Sequence, residues 1–155
     1  MKSIVTLFFS IFCFLASAQI STGSAKDYFE QGAFEKALTL YQKLLNNQRS
    51  NSYYFLRVIE CHQQLGQYKA AQKEIETQIK RSNYPQNLVE LGYNYQLQNQ
   101  QTKANSYYEK AVQSIEVQSN YIYAVAQRFE AHSLIDYAIQ AYELGLQKAS
   151  NAAFY

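Results

Sequence analysis

Small residues recur along this chain at a nearly fixed interval. Ala37, Ala71, Ala104 and Ala138 are spaced by 34, 33 and 34 residues. Four positions after each comes a bulky side chain (Tyr41, Ile75, Tyr108, Tyr142), and three further on stand Leu44, Gln78, Ala111 and Gly145. An i, i+4, i+7 pattern is one face of a helix. A second helical stretch precedes the later alanines, with its apolar face at Phe55-Val58-Ile59, Leu88-Leu91-Gly92-Tyr95 and Ile122-Val125-Ala126-Phe129. Between the paired stretches sit Gly32, Gly66, Asn99 and Ser133. Gly and Asn tolerate the left-handed conformation that ends a helix. The pattern predicts helix pairs at 21–31 with 34–46, 52–64 with 68–81, 85–98 with 101–114, and 119–131 with 135–148. Pro85, the only proline, falls in the first turn of its helix, where a missing N–H costs nothing. Nothing beyond the first 18 residues reads as a strand.

Self-similarity at this period is the mark of a repeat architecture. The residues resemble the tetratricopeptide repeat (TPR) family. Leu91-Gly92, Tyr95, Ala104, Tyr108 and Ala111 stand in that family's register, as do Ala25, Tyr28, Gly32, Ala37 and Tyr41. The resemblance implies an all-α fold, a right-handed superhelical α-solenoid of about four antiparallel helix-pair repeats. Its units would span about 18–51, 52–84, 85–118 and 119–152, within an array at 19–152. The small residues then let the second helix of each pair lie close against the first. No unit carries the family's helix-ending proline; Arg49, Asn83, Glu116 and Ser150 stand there instead. Gln78 replaces a packing alanine, so the second helix of that pair is expected to pack loosely. Ser21 replaces an aromatic, and the first unit is expected to act as an N-terminal cap.

The first 18 residues read differently. Lys2 precedes an apolar run from Ile4 to Leu15, closed by Ala16-Ser17-Ala18, the small-x-small pattern of a signal peptidase site. The run falls short of the ~20 residues that a spanning helix needs. A signal peptide over 1–18 and a mature chain from Gln19 with no membrane span are therefore expected. Cys13 lies inside the apolar run after Phe12, unlike an acylated cysteine. Its removal leaves Cys61 with no thiol to pair with in the mature chain. The chain has no N-x-[ST] sequon, which fits export in a Gram-negative bacterium to the periplasm or outer membrane. The ending, Asn151-Ala152-Ala153-Phe154-Tyr155, reads as a further helix beginning at 153–155. An array needs a polar terminal helix, so a longer parent protein is expected.

Composition narrows the function. A net charge of +2 is too small for nucleic acid or an anionic membrane surface, and the 15 tyrosines are not interleaved with clustered lysines. Cys61 and His62 are neighbours on a helix and cannot face each other as nucleophile and base. His62 is expected in the core and His132 exposed at a helix end. Glu60, Glu74, Glu76, Glu90, Glu109, Glu116, Glu130 and Glu143 read as solvated faces, most of them near a lysine or arginine in sequence. The five glycines are isolated, so no phosphate loop forms, and no nucleophile elbow occurs. Neither an enzyme nor a metal or cofactor site is expected.

What remains is surface. By the resemblance, one face of each first helix lines a groove. The residues there are Tyr53, Leu56, Glu60, Gln63 and Gln64, then Gln86, Val89, Tyr93, Gln96 and Leu97, then Asn120, Tyr123, Gln127 and Glu130. An amide- and tyrosine-rich lining suits an extended peptide. The Lys and Asn of a carboxylate clamp are absent, since Leu56 and Glu60, Val89 and Tyr93, and Tyr123 and Gln127 hold those positions. The expected function is an exported scaffold for a protein or peptide partner, in envelope assembly or secretion. The alternatives are a glycan-binding module, or the docking region of an enzyme whose catalytic domain lies beyond residue 155.

Overall fold

A computed structural model describes residues 22–152. The expected signal peptide at 1–18 and the expected helix start at 153–155 lie outside the described residues. Helices α1 (Thr22–Glu30), α2 (Phe34–Asn47), α3 (Ser52–Gln64) and α4 (Tyr68–Arg81) are followed by α5 (Gln86–Gln96), α6 (Gln101–Val117), α7 (Ile122–Ala131) and α8 (Ile135–Ala152). A 3-10 turn, Ser119–Tyr121, opens α7 where the sequence pattern placed helix. No strand occurs among the described residues. Helix α6 runs to Val117, past the predicted end, because Glu116 stands where a proline would have stopped it.

One device makes all four hairpins. Gly32, Gly66, Asn99 and Ser133 have φ of 74°, 68°, 58° and 57°, the left-handed region. The next amide reaches back five residues each time: Ala33 N–H to the Tyr28 carbonyl at 2.8 Å, Gln67 to His62 at 2.8 Å, Gln100 to Tyr95 at 3.0 Å, and Leu134 to Phe129 at 2.9 Å. This is the 6→1 bond of a Schellman ending. Glycine adopts that conformation freely, whereas Asn99 and Ser133 hold it at a steric cost.

Close approach follows from the small residues. Ala37, Ala71 and Ala104 are 0% exposed and Ala138 is 3%. Tyr41, Ile75 and Tyr108, one turn later, are also fully buried. Gly92 is the tightest point: a Cβ there would overlap the Tyr108 ring and lie 3.1 Å from the Ala104 carbonyl oxygen. Hairpins then stack, α7 against α5 and α8 against α6, as a solenoid of helix pairs. Helix α4 buries only Ala71 and Ile75, and Gln78 is half-buried with its Nε2 donating to Ser82 Oγ at 3.2 Å. Helix α1 buries only Ala25. Among the described residues no helix is long and apolar enough to cross a membrane.

Candidate binding cleft across three helices

The odd-numbered helices α3, α5 and α7 enclose a cleft of about 670 Å³. Ser52, Phe55 and Leu56 form its α3 wall, Gln86, Asn87 and Glu90 its α5 wall, and Ala124, Gln127 and Arg128 its α7 wall. Ser50, Gln78 and Tyr84 complete the lining from the connecting segments and α4. Local chemistry sets these positions. Asn51 caps α3, its side-chain oxygen accepting from Tyr54 N–H at 3.2 Å. Pro85, with φ of −56°, starts α5 and presents Gln86 and Asn87 in the first turn. Tyr84 is 44% exposed and leans on Tyr121 with ring centroids 5.5 Å apart.

Glu90 lies at the base of this cleft and is only 1% exposed. Arg128 Nε donates to its Oε1 at 2.5 Å. His132 Nε2 lies 3.1 and 3.2 Å from the two carboxylate oxygens. The imidazole in turn stacks on Tyr93, ring centroids 3.8 Å apart at 16°. Burial alone would raise the Glu90 carboxyl, but the His132 hydrogen bond and the charges of His132 and Arg128 hold it below the usual carboxylate value. Glu60 behaves oppositely. Burial pushes its carboxyl up, Arg57 at 2.6 Å only partly restrains the rise, and the Glu90 charge adds to it.

Two sequence expectations are corrected here. Glu90 is not on a solvated face, because α5 is covered on several sides and buries Asn87, Glu90 and Asn94 along with its apolar residues. His132 is not exposed: its side chain is 7% accessible, because the tight turn at Ser133 folds it back onto Tyr93 and Glu90. His62 does lie in the core, with Nδ1 2.8 Å from Gln67 Oε1. Cys61 is fully buried, and burial, with Glu60 adding, pushes its thiol up to about 12. It is therefore protonated and no nucleophile at neutral pH.

The groove residues named from sequence divide into four sets. Leu56, Gln86 and Gln127 line the cleft. Glu60 and Tyr93 bear on the charged cluster beneath it, and Gln96 accepts from Tyr108 Oη at 2.9 Å. Val89, 0% exposed, and Gln63, 7% exposed, belong to the packed interior and offer nothing to a ligand. The rest lie away from the cleft. Gln64, Asn120, Tyr123 and Glu130 are exposed, Leu97 is the half-buried cap of α5, and Tyr53 packs on Tyr41 and Tyr54. Sequence reading missed Ser50, Ser52, Phe55, Gln78, Tyr84, Asn87 and Arg128. The available signal was Glu90 itself, a carboxylate set within the otherwise apolar Leu88-Val89-Glu90-Leu91 run.

No family model matches the chain, and no curated protein matches it. Among solved structures the chain is similar to a crystal structure of MamA at 21% identity, covering 84% of this chain and 77% of that one, with a TM-score of 0.47. It is similar to a MamA RS-1 ArsTM double mutant at 16% identity, covering 84% and 74%, with a TM-score of 0.48. A further crystal structure of MamA protein aligns at 21% identity over 84% and 72%, with a TM-score of 0.47.

Proposed function

We propose that this chain is an exported scaffold that holds an extended segment of a partner protein in the α3/α5/α7 cleft. One observation carries the reading: three successive first helices contribute side chains to a single open cleft, with amides and hydroxyls above a packed base. Stacked helix pairs present such surfaces to extended ligands. The lining residues Gln78, Gln86, Asn87 and Gln127 can meet backbone donors and acceptors, and Phe55, Leu56 and Tyr84 supply contact area. Export rests on residues 1–18, and the envelope is the compartment in which a partner would be met.

A photo-crosslinking amino acid at Gln127, inside the cleft, tests the partner. An adduct with one protein is expected there, and none with the same group at Lys110, on the exposed side of α6. Equal yields at both positions, or none at Gln127, would defeat the reading. N-terminal sequencing of the mature protein tests export, with Gln19 the expected first residue; a chain retaining residues 1–18 would sink it.

A further inference from the structure

The charges of the cleft cancel internally, while two of its amides do not find partners. Glu90 and Arg128, the charged residues that line it, are bonded to each other, and His132 takes up the remaining Glu90 oxygen. Arg57 and Glu60 are likewise paired beside it. No uncompensated charge is left to select a charged ligand. Gln86 Oε1 and Asn87 Nδ2, by contrast, are buried without a hydrogen-bond partner. Asn87 is 5% exposed, and both residues line the cleft from the first turn of α5. Buried polar groups in folded proteins are nearly always satisfied, and an unpaired one costs stability. Here one acceptor and one donor stand on adjacent residues at the same wall.

We infer, resting on the peptide-binding reading, that the cleft takes an uncharged stretch from the interior of a partner chain and pairs one of its amide groups with Gln86 and Asn87. A peptide unit offers an N–H to the Gln86 oxygen and a C=O to the Asn87 nitrogen. A terminal carboxylate offers acceptors only and would oppose the Gln86 oxygen. An ammonium offers donors only and would leave Asn87 Nδ2 unpaired. Gln86 Oε1 and Asn87 Nδ2 are closed off from solvent in the free protein, so the cleft wall must open slightly to bring a ligand's peptide group against them. The unpaired atoms thus lower the stability of the empty cleft and are satisfied only when it is filled.

A random twelve-residue peptide library displayed on messenger RNA, selected on the folded protein, is the probe. Enriched sequences with no charged consensus position are expected. As synthetic peptides they should bind within about twofold at 50 and 300 mM NaCl, because few counterions are released, and equally with free or amidated C-termini. Asn87→Leu, close in shape, should weaken binding about tenfold, as losing one buried hydrogen bond does, and should raise Tm. Gln64→Ala, outside the cleft, should change neither. A charged consensus, steep salt dependence or a required free carboxylate would overturn the inference while leaving peptide binding intact. So would an Asn87→Leu variant that lost Tm and affinity together, since that marks a structural role. Enrichment of nothing would overturn the peptide reading itself, as would retardation by polysaccharides in affinity electrophoresis without peptide binding.

Discussion

Glu90 on α5 and Arg128 on α7 are 38 positions apart in the chain and 2.5 Å apart in the fold. Taking both from water is costly, and the geometry repays that only while both are present. Removing one partner strands the other. Glu90→Gln is expected to lose about 3 kcal/mol, the lower end of the range for broken buried pairs because Arg128 keeps 18% exposure. Urea unfolding at pH 7 measures it, and a change below about 1 kcal/mol would show that the pair contributes little.

Acidification should separate the buried Glu90 from the half-buried Glu60. Glu90 titrates below its ordinary value in the fold, so its ionised form favours folding above that ordinary value, near 4.5. That stabilisation is lost as pH falls through the lower folded value. Glu60 is raised, so its protonated form favours folding at low pH and the gain is lost as pH rises through the folded value. Glu90→Gln should therefore flatten the acid limb of a stability–pH curve below 4.5. Glu60→Gln should cost less than about 1 kcal/mol at pH 7, where its Arg57 bond is partly exposed.

Gly92→Ala tests close approach without adding polarity. Its methyl would meet the Tyr108 ring, which is fully buried and held by the bond to Gln96. A loss of about 2–3 kcal/mol is expected from overpacking. Gly92→Ala combined with Tyr108→Leu should recover part of it in a double-mutant cycle.

Ala104→Leu probes the same contact from α6. With Ala104 at 0% exposure, the added atoms must displace α5, at about 1–3 kcal/mol. An unchanged thermal midpoint would mean that the two helices are not seated on this residue.

Ser133→Gly should move stability the other way. Ser133 holds φ of 57°, which glycine adopts without a Cβ clash. A gain of about 0.5–1 kcal/mol is expected, less than the full strain because glycine also loosens the unfolded chain. The same exchange at Gly66, to serine, should lose a similar amount.

Helices and turns were legible because they are set by neighbours in sequence. The i, i+4, i+7 stripes fix α2, α4, α6 and α8 to within a few residues, and the four reversal residues stand at the positions of the left-handed backbone. The cleft was less legible. A carboxylate near a basic residue in sequence looks solvated, and only stacking of α7 on α5 reveals that Glu90 is enclosed. His132 was misjudged for the same reason: a helix end is open to water only if the next turn does not fold its side chain inward. Tyr84 and Ser50 lie between helices, where periodicity carries no information about which way a side chain points.

A stack of helix hairpins joined only to its neighbours is a coil spring, and springs differ along their length. Side-chain hydrogen bonds tie α1 to α3 through Thr22 and Tyr54, and α5 to α7 through Glu90 to Arg128 and His132. None among the described residues links α3 to α5. The cleft is therefore clasped by hydrogen bonds on its α5–α7 side and held by apolar packing alone on its α3–α5 side.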